Sequence, residues 1–287
     1  MTTHIPMRRL VLAGAAIAAG AVALSALPAA AQPAGVAPVP PEFLDETRRL
    51  EENRIVFCIN AASVLADFDR AVARAMTDAL LLEAGFHDVE TPFRTFPYDF
   101  RVRLAERDLF VEINNNCSAL MGVRLVNAMP DWMTVSRPYY STRAVMVATD
   151  PAVTGLGALP AGARIGSVLG SPGDNLLTRY LAALPEAQRP GRVPYPDYAL
   201  ALERLQDGSV QAAFIWEPAL WYASDGDPAA MGIVSVFEPP FAVPPVAFGV
   251  ALLVEDTFTR GLIDTAIAAL EESGALDALI AEHIPMP

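Results

Sequence analysis

The sequence predicts an α/β protein of two lobes, each built on a parallel sheet and joined to the other by two crossings of the chain. Short β-branched and aromatic runs alternate with helical patterns over residues 54–123, and again over residues 163–216. A Pro-rich stretch at residues 237–245 then leads into an apolar strand, which we interpret as the return to the first lobe. This order places a cleft outside the carboxyl ends of the parallel strands.

The first 31 residues are typical of a secretory signal peptide. Arg8 and Arg9 precede an apolar run at residues 10–27, and small residues precede Gln32. We therefore expect an exported mature chain that does not span a membrane, with a permanent N-terminal anchor as the alternative. The two Arg leave both the general and the twin-arginine export routes open.

Composition limits the partners of the exported chain. Residues 32–45 form a Pro-rich leader, and the remainder is long enough for two lobes of ordinary size. Acidic residues number 33 against 20 basic ones, and no basic block follows the signal, which argues against nucleic acid or an anionic membrane surface. Two Cys and three His are too few for a Cys/His metal site, and we expect neither metal nor cofactor.

The first lobe is predicted from five segments in β-α-β-α-β order. They are a strand at residues 54–60, a helix at 67–85 with Gly85 as its C-cap, a strand at 88–96, a helix at 98–108 and a strand at 117–123. His87 is placed in a turn after the first helix.

The second lobe repeats this rhythm. Its segments are a strand at residues 143–149, a turn-rich stretch at 150–162, a strand at 163–168, a turn at 169–175, a helix at 176–184, a helix at 198–208 and a strand at 210–216. Two amphipathic helices, at residues 259–273 and 275–284, close the chain. The predicted boundaries give the first lobe residues 46–143 plus 246–287 and the second lobe residues 144–245.

Four of these stretches resemble periplasmic solute-binding proteins of the type II, amino-acid-binding class that serve ABC transporters. They are "DFDRAVARAM", "CSALMGV…SRPYY", "ARIGSVLGSPGDNLL" and "GSVQAAFIWEP", which follow one another in the order that this class shows. The resemblance implies a bilobal type II periplasmic binding protein fold, a periplasmic location and a small-molecule ligand held between the lobes.

A narrower resemblance points to the binding proteins associated with quinoprotein alcohol and methanol dehydrogenases. It rests on "MGV", "SRPYYSTRAVMVA", "VQAAFIWEPALWYA" and the terminal "IAEHIPMP", and Cys58 and Cys117 match the two Cys of that group. It implies either an ABC permease or a periplasmic quinoprotein dehydrogenase as partner. An even Cys count in an oxidising compartment favours one disulfide, with two separate buried thiols as the alternative.

The resemblance also argues against an ordinary amino acid as the ligand. Amino-acid binders of this class hold the carboxylate with an Arg seven residues after the Gly that corresponds to Gly122, and that position is Met129 here. Their ammonium-binding Asp corresponds to Trp216. Both charged halves of an amino-acid site are therefore missing.

The candidate ligand-binding residues follow predicted strands or precede the first crossing. They are Asn60, Tyr98, Arg124, Tyr139, Tyr140, Ser171, Asp174, Trp216 and Glu217. Trp216 offers a flat face to an apolar, aromatic or cationic ligand, and the turn with Ser171 and Asp174 precedes a helix whose N-terminus attracts anions. Core packing for the aromatic residues, an N-cap for Ser171 or Asp174, and a surface position for Arg124 and Glu217 are the alternatives.

Binding is favoured over catalysis. Only His87 and His283 follow the signal, neither beside a nucleophile motif, and the chain has no G-x-S-x-G, P-loop or dinucleotide fingerprint. Glu217 resembles the single acidic residue of some dehydratases and lytic enzymes of this fold, but one carboxylate without a matched partner is weak evidence. "WEP" also occurs in binders of nitrate- and sulfonate-type anions, which keeps an anionic solute open.

Overall fold

The computed structural model describes residues 53–89, 106–126 and 129–284. The strands in this part of the chain are β1 (Arg54–Asn60), β2 (Glu83–Val89), β3 (Ala119–Arg124), β4 (Met133–Val135), β5 (Tyr140–Thr142), β6 (Ala144–Ala148), β7 (Arg164–Val168), β8 (Gly191–Tyr195), β9 (Ala212–Trp216), β10 (Ser235–Phe237) and β11 (Val246–Leu253). The α helices are α1 (Ala66–Ala79), α2 (Glu106–Asn115), α3 (Pro172–Ala183), α4 (Tyr198–Gln206), α5 (Glu217–Ala223), α6 (Thr257–Ser273) and α7 (Ala275–His283).

The first sheet has the order β2-β1-β3-β11-β4, and β5 also pairs with β11. Strands β1, β2 and β3 are parallel, whereas β11 runs antiparallel to β3, β4 and β5. Helix α1 places Val72 and Met76 at helical spacing in the core with Phe57 of β1, and two acidic residues in its first turn suit the helix dipole.

The second sheet has the order β10-β6-β9-β7-β8. Strand β7 is parallel to both of its neighbours, β8 and β9, whereas β6 pairs antiparallel with β9 and β10 pairs antiparallel with β6. The predicted α/β class with two parallel-core sheets is confirmed. In the described part of the chain, each sheet has a parallel core of three strands, to which antiparallel pairings add the remaining strands.

Two crossings connect the sheets. Strand β5 of the first sheet and β6 of the second are separated only by Arg143, and residues 238–245 connect β10 to β11. The guanidinium of Arg143 forms an ion pair with Glu238, which joins the two crossings directly.

The boundary between α1 and β2 differs from the prediction. The helix ends at Ala79 and the strand begins at Glu83, so Gly85 and His87 lie in β2, where Gly85 pairs with Val56 and His87 with Cys58. The chain turns at Leu81, which has φ of 56°, and not at Gly85. Gly85 instead packs against the Arg54 side chain, and a Cβ added at Gly85 would lie 2.6 Å from Nε of Arg54.

Two edge strands of the second sheet were not predicted. Strand β8 contains Pro194, which a strand tolerates at an edge where its missing N–H removes no ladder bond, and β10 has only three residues. The predicted strand at 88–96 and helix at 98–108 fall largely outside the described residues. No helix in the described ranges is long and apolar enough to cross a bilayer.

A candidate ligand site at the crossing between the sheets

Trp216 connects the two sheets. It is the last residue of β9 in the second sheet, pairs with Ala144 and is only 6 % exposed. Its ring centroid lies 5.9 Å from that of Phe248, which belongs to β11 in the first sheet. The indole therefore packs across the crossing and does not serve only the core of its own lobe.

Tyr140 extends this contact into the first lobe. Its ring stacks on Phe248 with centroids 6.3 Å apart, and it meets Phe68 of α1 edge-on at 5.2 Å. We call Phe68, Tyr140, Trp216 and Phe248 the crossing aromatics. They form a continuous row of rings from the second sheet to helix α1, with one stacked, one tilted and one edge-on contact.

Buried oxygen atoms lie beside this row. Among the described residues, the hydroxyls of Tyr140 and Thr142 have no hydrogen-bond partner of normal geometry, although these two residues are only 3 % and 4 % exposed. Burial raises the pKa of Tyr140 to about 12; the nearby Thr142 hydroxyl lowers it and the negative charge of Glu217 raises it. Two buried hydroxyls of a kind that normally forms hydrogen bonds thus have unused hydrogen-bonding capacity at the crossing.

Glu217 begins helix α5 directly after Trp216. Its N–H donates to the carbonyl of Arg143 at 3.0 Å, and its carboxyl is half-buried. Burial raises the pKa of Glu217, while the charge of Arg143 and the proximity of the Thr142 hydroxyl lower it. Glu217 therefore lies at the first crossing and is not a freely solvated loop acid.

Tyr139 takes the core position that the sequence left open. Its hydroxyl donates to Oδ1 of Asp69 at 2.5 Å and accepts from the Gly122 N–H at 2.9 Å. Both Tyr139 and Asp69 are buried, and burial raises the pKa of Asp69 to about 7, against the lowering effect of the bond from Tyr139 and the charge of Arg70. This group joins β3, α1 and the segment before β5 inside the first lobe.

Ser171 and Asp174 also make internal bonds. The Ser171 hydroxyl accepts from the Asp174 N–H, as an N-cap does, and the Asp174 carboxylate accepts from Ser167, from the Gly170 N–H and twice from Arg192. The Ser171 N–H donates to Val168 and Pro172 has none. The turn consequently offers an anion fewer donors than an ordinary helix N-terminus, and places a carboxylate beside it.

Asn60 and Arg124 lie at the carboxyl ends of β1 and β3, where the sequence placed them. The Asn60 side chain accepts from the Ala62 N–H at 3.1 Å, so it stabilises the turn after β1. Arg124 is half-buried and pairs with Phe248 in the sheet register. Tyr98 lies outside the described residues. The ligand roles of Asn60 and Arg124 remain predictions.

Met129 lines a groove of about 400 Å³ at the edge of the first sheet. The other lining residues are Leu125, Val126, Met133, Thr134 and Val135. Met129 also packs against the core cluster that contains Met133. The position at which the resembled class carries a carboxylate-binding Arg is thus occupied by a side chain in apolar contact.

The two Cys are bonded to each other. Cys58 of β1 and Cys117, just before β3, form a disulfide, which confirms the predicted pairing. Both are buried in the core cluster on the α2 side of the sheet. The bond fixes two parallel strands whose carboxyl ends carry Asn60 and Arg124.

Two residues at the crossing were missed by the sequence reasoning. Phe248 stood in an apolar run with no feature to distinguish it, and Thr142 stood between aromatic and charged residues. The signal for Thr142 was its position two residues after Tyr140, because alternate residues of a strand share one face.

Comparisons with known proteins support the fold. No protein-family model and no curated protein sequence matches the chain. The second substrate-binding domain of GlnP from Lactococcus lactis, in an open conformation, superposes with a TM-score of 0.62 at 14 % identity, over 84 % of this chain and 100 % of that one.

Two further solved structures agree. The second substrate-binding domain of a putative amino acid ABC transporter from Streptococcus pneumoniae gives a TM-score of 0.61 at 13 % identity, over 80 % of this chain and 99 % of that one. An ancestral cationic amino acid solute-binding protein gives 0.59 at 15 % identity, over 81 % and 96 %. The chain thus has the fold of bilobal substrate-binding proteins of amino-acid ABC transporters, and the solved neighbours are binding proteins.

Proposed function

We propose that this chain is an exported solute-binding protein that captures a small molecule between two lobes and delivers it to an ABC transporter. The observation that carries the proposal is the position of Trp216, at the end of a strand of one sheet and in ring contact with Phe248 of the other. A side chain in this position can contact a ligand between the lobes, and its contact with Phe248 changes when the two sheets move relative to each other. The signal peptide predicted at residues 1–31 supplies export to the periplasm.

The ligand in this proposal is not an ordinary amino acid. A zwitterion needs a cation for its carboxylate and an anion for its ammonium group, and the two corresponding positions hold Met129 and Trp216. Met129 is engaged in apolar contacts. Solved structures with the same fold include proteins named for amino acids. In this chain, neither of the two positions that would hold the charged groups of an amino acid carries a charged side chain.

Closure in this proposal takes place at the crossings. We place the first lobe at residues 46–143 plus 246–287 and the second at 144–245, with bending at Arg143 and in residues 238–245. A hinge needs only a few residues that absorb a change in φ and ψ, and both connections are short.

Native mass spectrometry of the mature protein, purified gently from its own periplasm, tests the proposal. A bound small molecule of defined mass is expected, together with a smaller radius of gyration in X-ray scattering than for protein refolded after denaturation without ligand. Trp216→Phe should keep the bound molecule and Trp216→Ala should lose it. Tyr222→Ala, a change at an exposed aromatic residue of helix α5, which directly follows Trp216, is the matched control and should keep it. A ligand-free protein whose scattering is the same before and after refolding would overturn the proposal.

A second candidate is an accessory role in a periplasmic quinoprotein alcohol or methanol dehydrogenase system. The observation that favours it is the bonded pair Cys58 and Cys117, since the dehydrogenase-associated binding proteins carry Cys at both places. In that case the native protein should be isolated together with a dehydrogenase subunit and with an empty cleft. Isolation alone, with a small ligand, would contradict this role.

A further inference from the structure

Three oxygen-bearing side chains lie together at the first crossing. They are Tyr140 and Thr142 at the end of the first sheet and Glu217 at the start of α5, and we call them the crossing oxygens. Tyr140 and Thr142 are two residues apart on β5 and therefore point to the same side of the strand. The bond from the Glu217 N–H to the Arg143 carbonyl places Glu217 opposite that strand end.

Electrostatic effects agree with this arrangement. The Thr142 hydroxyl is near enough to lower the pKa of both Tyr140 and Glu217, and the charge of Glu217 raises that of Tyr140. Even so, neither the Tyr140 nor the Thr142 hydroxyl forms a hydrogen bond of normal geometry within the part of the chain that the structure describes. Thr142 thus lies within interaction range of both Tyr140 and Glu217, while the hydrogen-bonding capacity of the two buried hydroxyls is not filled by bonds of normal geometry.

A buried hydroxyl without a partner is costly, and such groups normally meet another polar group, a water molecule or a ligand. Two of them beside a half-buried carboxylate provide lone pairs on several sides of one small region. A group that completes this arrangement has several N–H or O–H donors. A primary ammonium group has three donors and no acceptor.

The charges select a cation over a neutral donor. The positive charge of Arg143 acts on Glu217, and its guanidinium forms an ion pair with Glu238. The group Glu217, Arg143 and Glu238 therefore has two acids and one base. The rings of Trp216 and Phe248 lie on the same crossing, and aromatic faces attract cations.

From this arrangement we propose that the crossing oxygens bind the ammonium group of a small primary amine that carries no neighbouring carboxylate. The inference rests on the proposed solute-binding function and names the ligand class of that site. The absence of a carboxylate follows from Met129, which offers no charge to hold one. Glu217 is the counter-ion, Tyr140 and Thr142 accept the remaining N–H groups, and Trp216 covers the alkyl part.

Isothermal titration with ethylamine as the probe tests this proposal. Ethylamine should bind the wild-type protein more tightly than three related compounds. Ethanol lacks the positive charge, tetramethylammonium lacks N–H donors, and glycine carries a carboxylate. Glu217→Gln should weaken ethylamine binding by about tenfold or more. Glu203→Gln, which removes an exposed acid of helix α4 that is not part of this charge group, is the matched control and should change it less than about twofold.

The pH dependence gives a second readout. Burial raises the pKa of Glu217, so ethylamine affinity should fall as the pH is lowered through that value, and this fall should be lost in Glu217→Gln. Tyr140→Phe and Thr142→Val test the hydroxyls, and each should weaken ethylamine more than tetramethylammonium. Circular dichroism and thermal unfolding of every variant verify that it is folded.

Two results of the titration would overturn the proposal. The first is that ethylamine does not bind the folded wild-type protein. The second is that wild type and Glu217→Gln bind ethylamine with equal affinity. Native mass spectrometry separates this failure from failure of the proposed function. A neutral or anionic solute bound to the periplasmic protein would reject the amine and keep the solute-binding function, whereas an empty protein that never closes would reject both.

Discussion

Tyr139 donates a hydrogen bond of 2.5 Å to Asp69, and both side chains are buried inside the first lobe. The bond connects helix α1 to the segment that leads into the first crossing, across 70 positions of the chain. Gly122 completes the group, because its N–H donates to the same Tyr139 hydroxyl. Because Asp69 is buried, its protonation and the space around it should both affect the stability of the protein.

The first prediction concerns pH. Burial raises the pKa of Asp69 from 3.8 to about 7, so the folded protein holds a proton that the unfolded chain releases between these values. Stability should therefore fall as the pH rises from about 4 to 7, by up to about 1.4 kcal/mol per pH unit from this group. Urea unfolding at pH 5 and pH 8 measures it.

Asp69→Asn should remove this part of the pH dependence, because the amide has the same shape and does not titrate. Asp67→Asn, an exposed acid in the same helical turn, is the control and should retain the wild-type slope. Equal slopes for wild type and Asp69→Asn between pH 5 and pH 8 would show that Asp69 is ionised throughout in the folded protein.

The second prediction concerns Gly122, which has φ of 73° and whose added Cβ would lie 2.8 Å from Oδ2 of Asp69. Gly122→Ala combines left-handed backbone strain with a steric conflict in the buried group, and should destabilise the protein by about 2–4 kcal/mol. Gly162→Ala is the matched control, since Gly162 has φ of 76° and open space around the added Cβ. It should cost only about 1 kcal/mol. Chemical denaturation of both variants gives the comparison, and equal losses would mean that the Asp69 contact has no effect.

The third prediction concerns the disulfide. Thiol titration of the unfolded, unreduced protein should detect no free thiol, because Cys58 and Cys117 are bonded and are the only two Cys of the chain. The double change Cys58→Ala and Cys117→Ala should lower the free energy of unfolding by about 2–4 kcal/mol, since the bond restricts the unfolded chain over a separation of 59 residues. Wild-type protein unfolded with reductant should approach the stability of the double variant. Two titratable thiols in unreduced protein would contradict the bond.

The fourth prediction concerns Arg192 and Asp174 in the second lobe. Burial alone raises the pKa of Asp174, but hydrogen bonds from Arg192, Ser167 and Gly170 outweigh it and hold the pKa below 3.8. Arg192→Met should destabilise the protein by about 3 kcal/mol near neutral pH, because it leaves a buried carboxylate without its cation. Asp174 contributes this stability above its ordinary pKa and loses it as the pH falls through the lowered value, so the effect should shrink below about pH 4.

Arg204→Met is the control for this ion pair. Arg204 pairs with Asp207 at the exposed end of α4, and surface pairs add little to stability. Its unfolding midpoint in guanidinium should stay close to that of wild type. A similarly small effect of Arg192→Met would show that water replaces the guanidinium at Asp174.

Local patterns in the sequence were sufficient for much of the fold. The alternation of "RIVFCIN" and "ARIGSV" with helical stretches predicted parallel cores, since strand and helix periodicity are properties of short windows. The predicted end of α1 was wrong because Gly85 suggested a C-cap. Pairing with β1 instead starts strand β2 at Glu83, two residues before Gly85. Tertiary pairing overrides a local end signal of this kind.

The candidate site was predictable in part. Trp216, Tyr140 and Glu217 were found because strand ends and the residues before a crossing are definite places in the sequence. Phe248 and Thr142 were not found, because nothing within their own segments shows which side chain they meet. The aromatic row and the crossing oxygens unite residues from β5, α5 and β11, which are far apart along the chain.

The sequence by itself determined the fold class and the order of the central elements, because these depend on local periodicity, and its count of two Cys favoured a bond between Cys58 and Cys117 that the structure then showed. Only the tertiary structure decided that Tyr139 is bonded to Asp69, that Asp174 is bonded to Arg192, and that the crossing oxygens lie together. The physical reason is that sheet register and the paths of the two crossings set which distant side chains come into contact. Neither is encoded in any single stretch of residues.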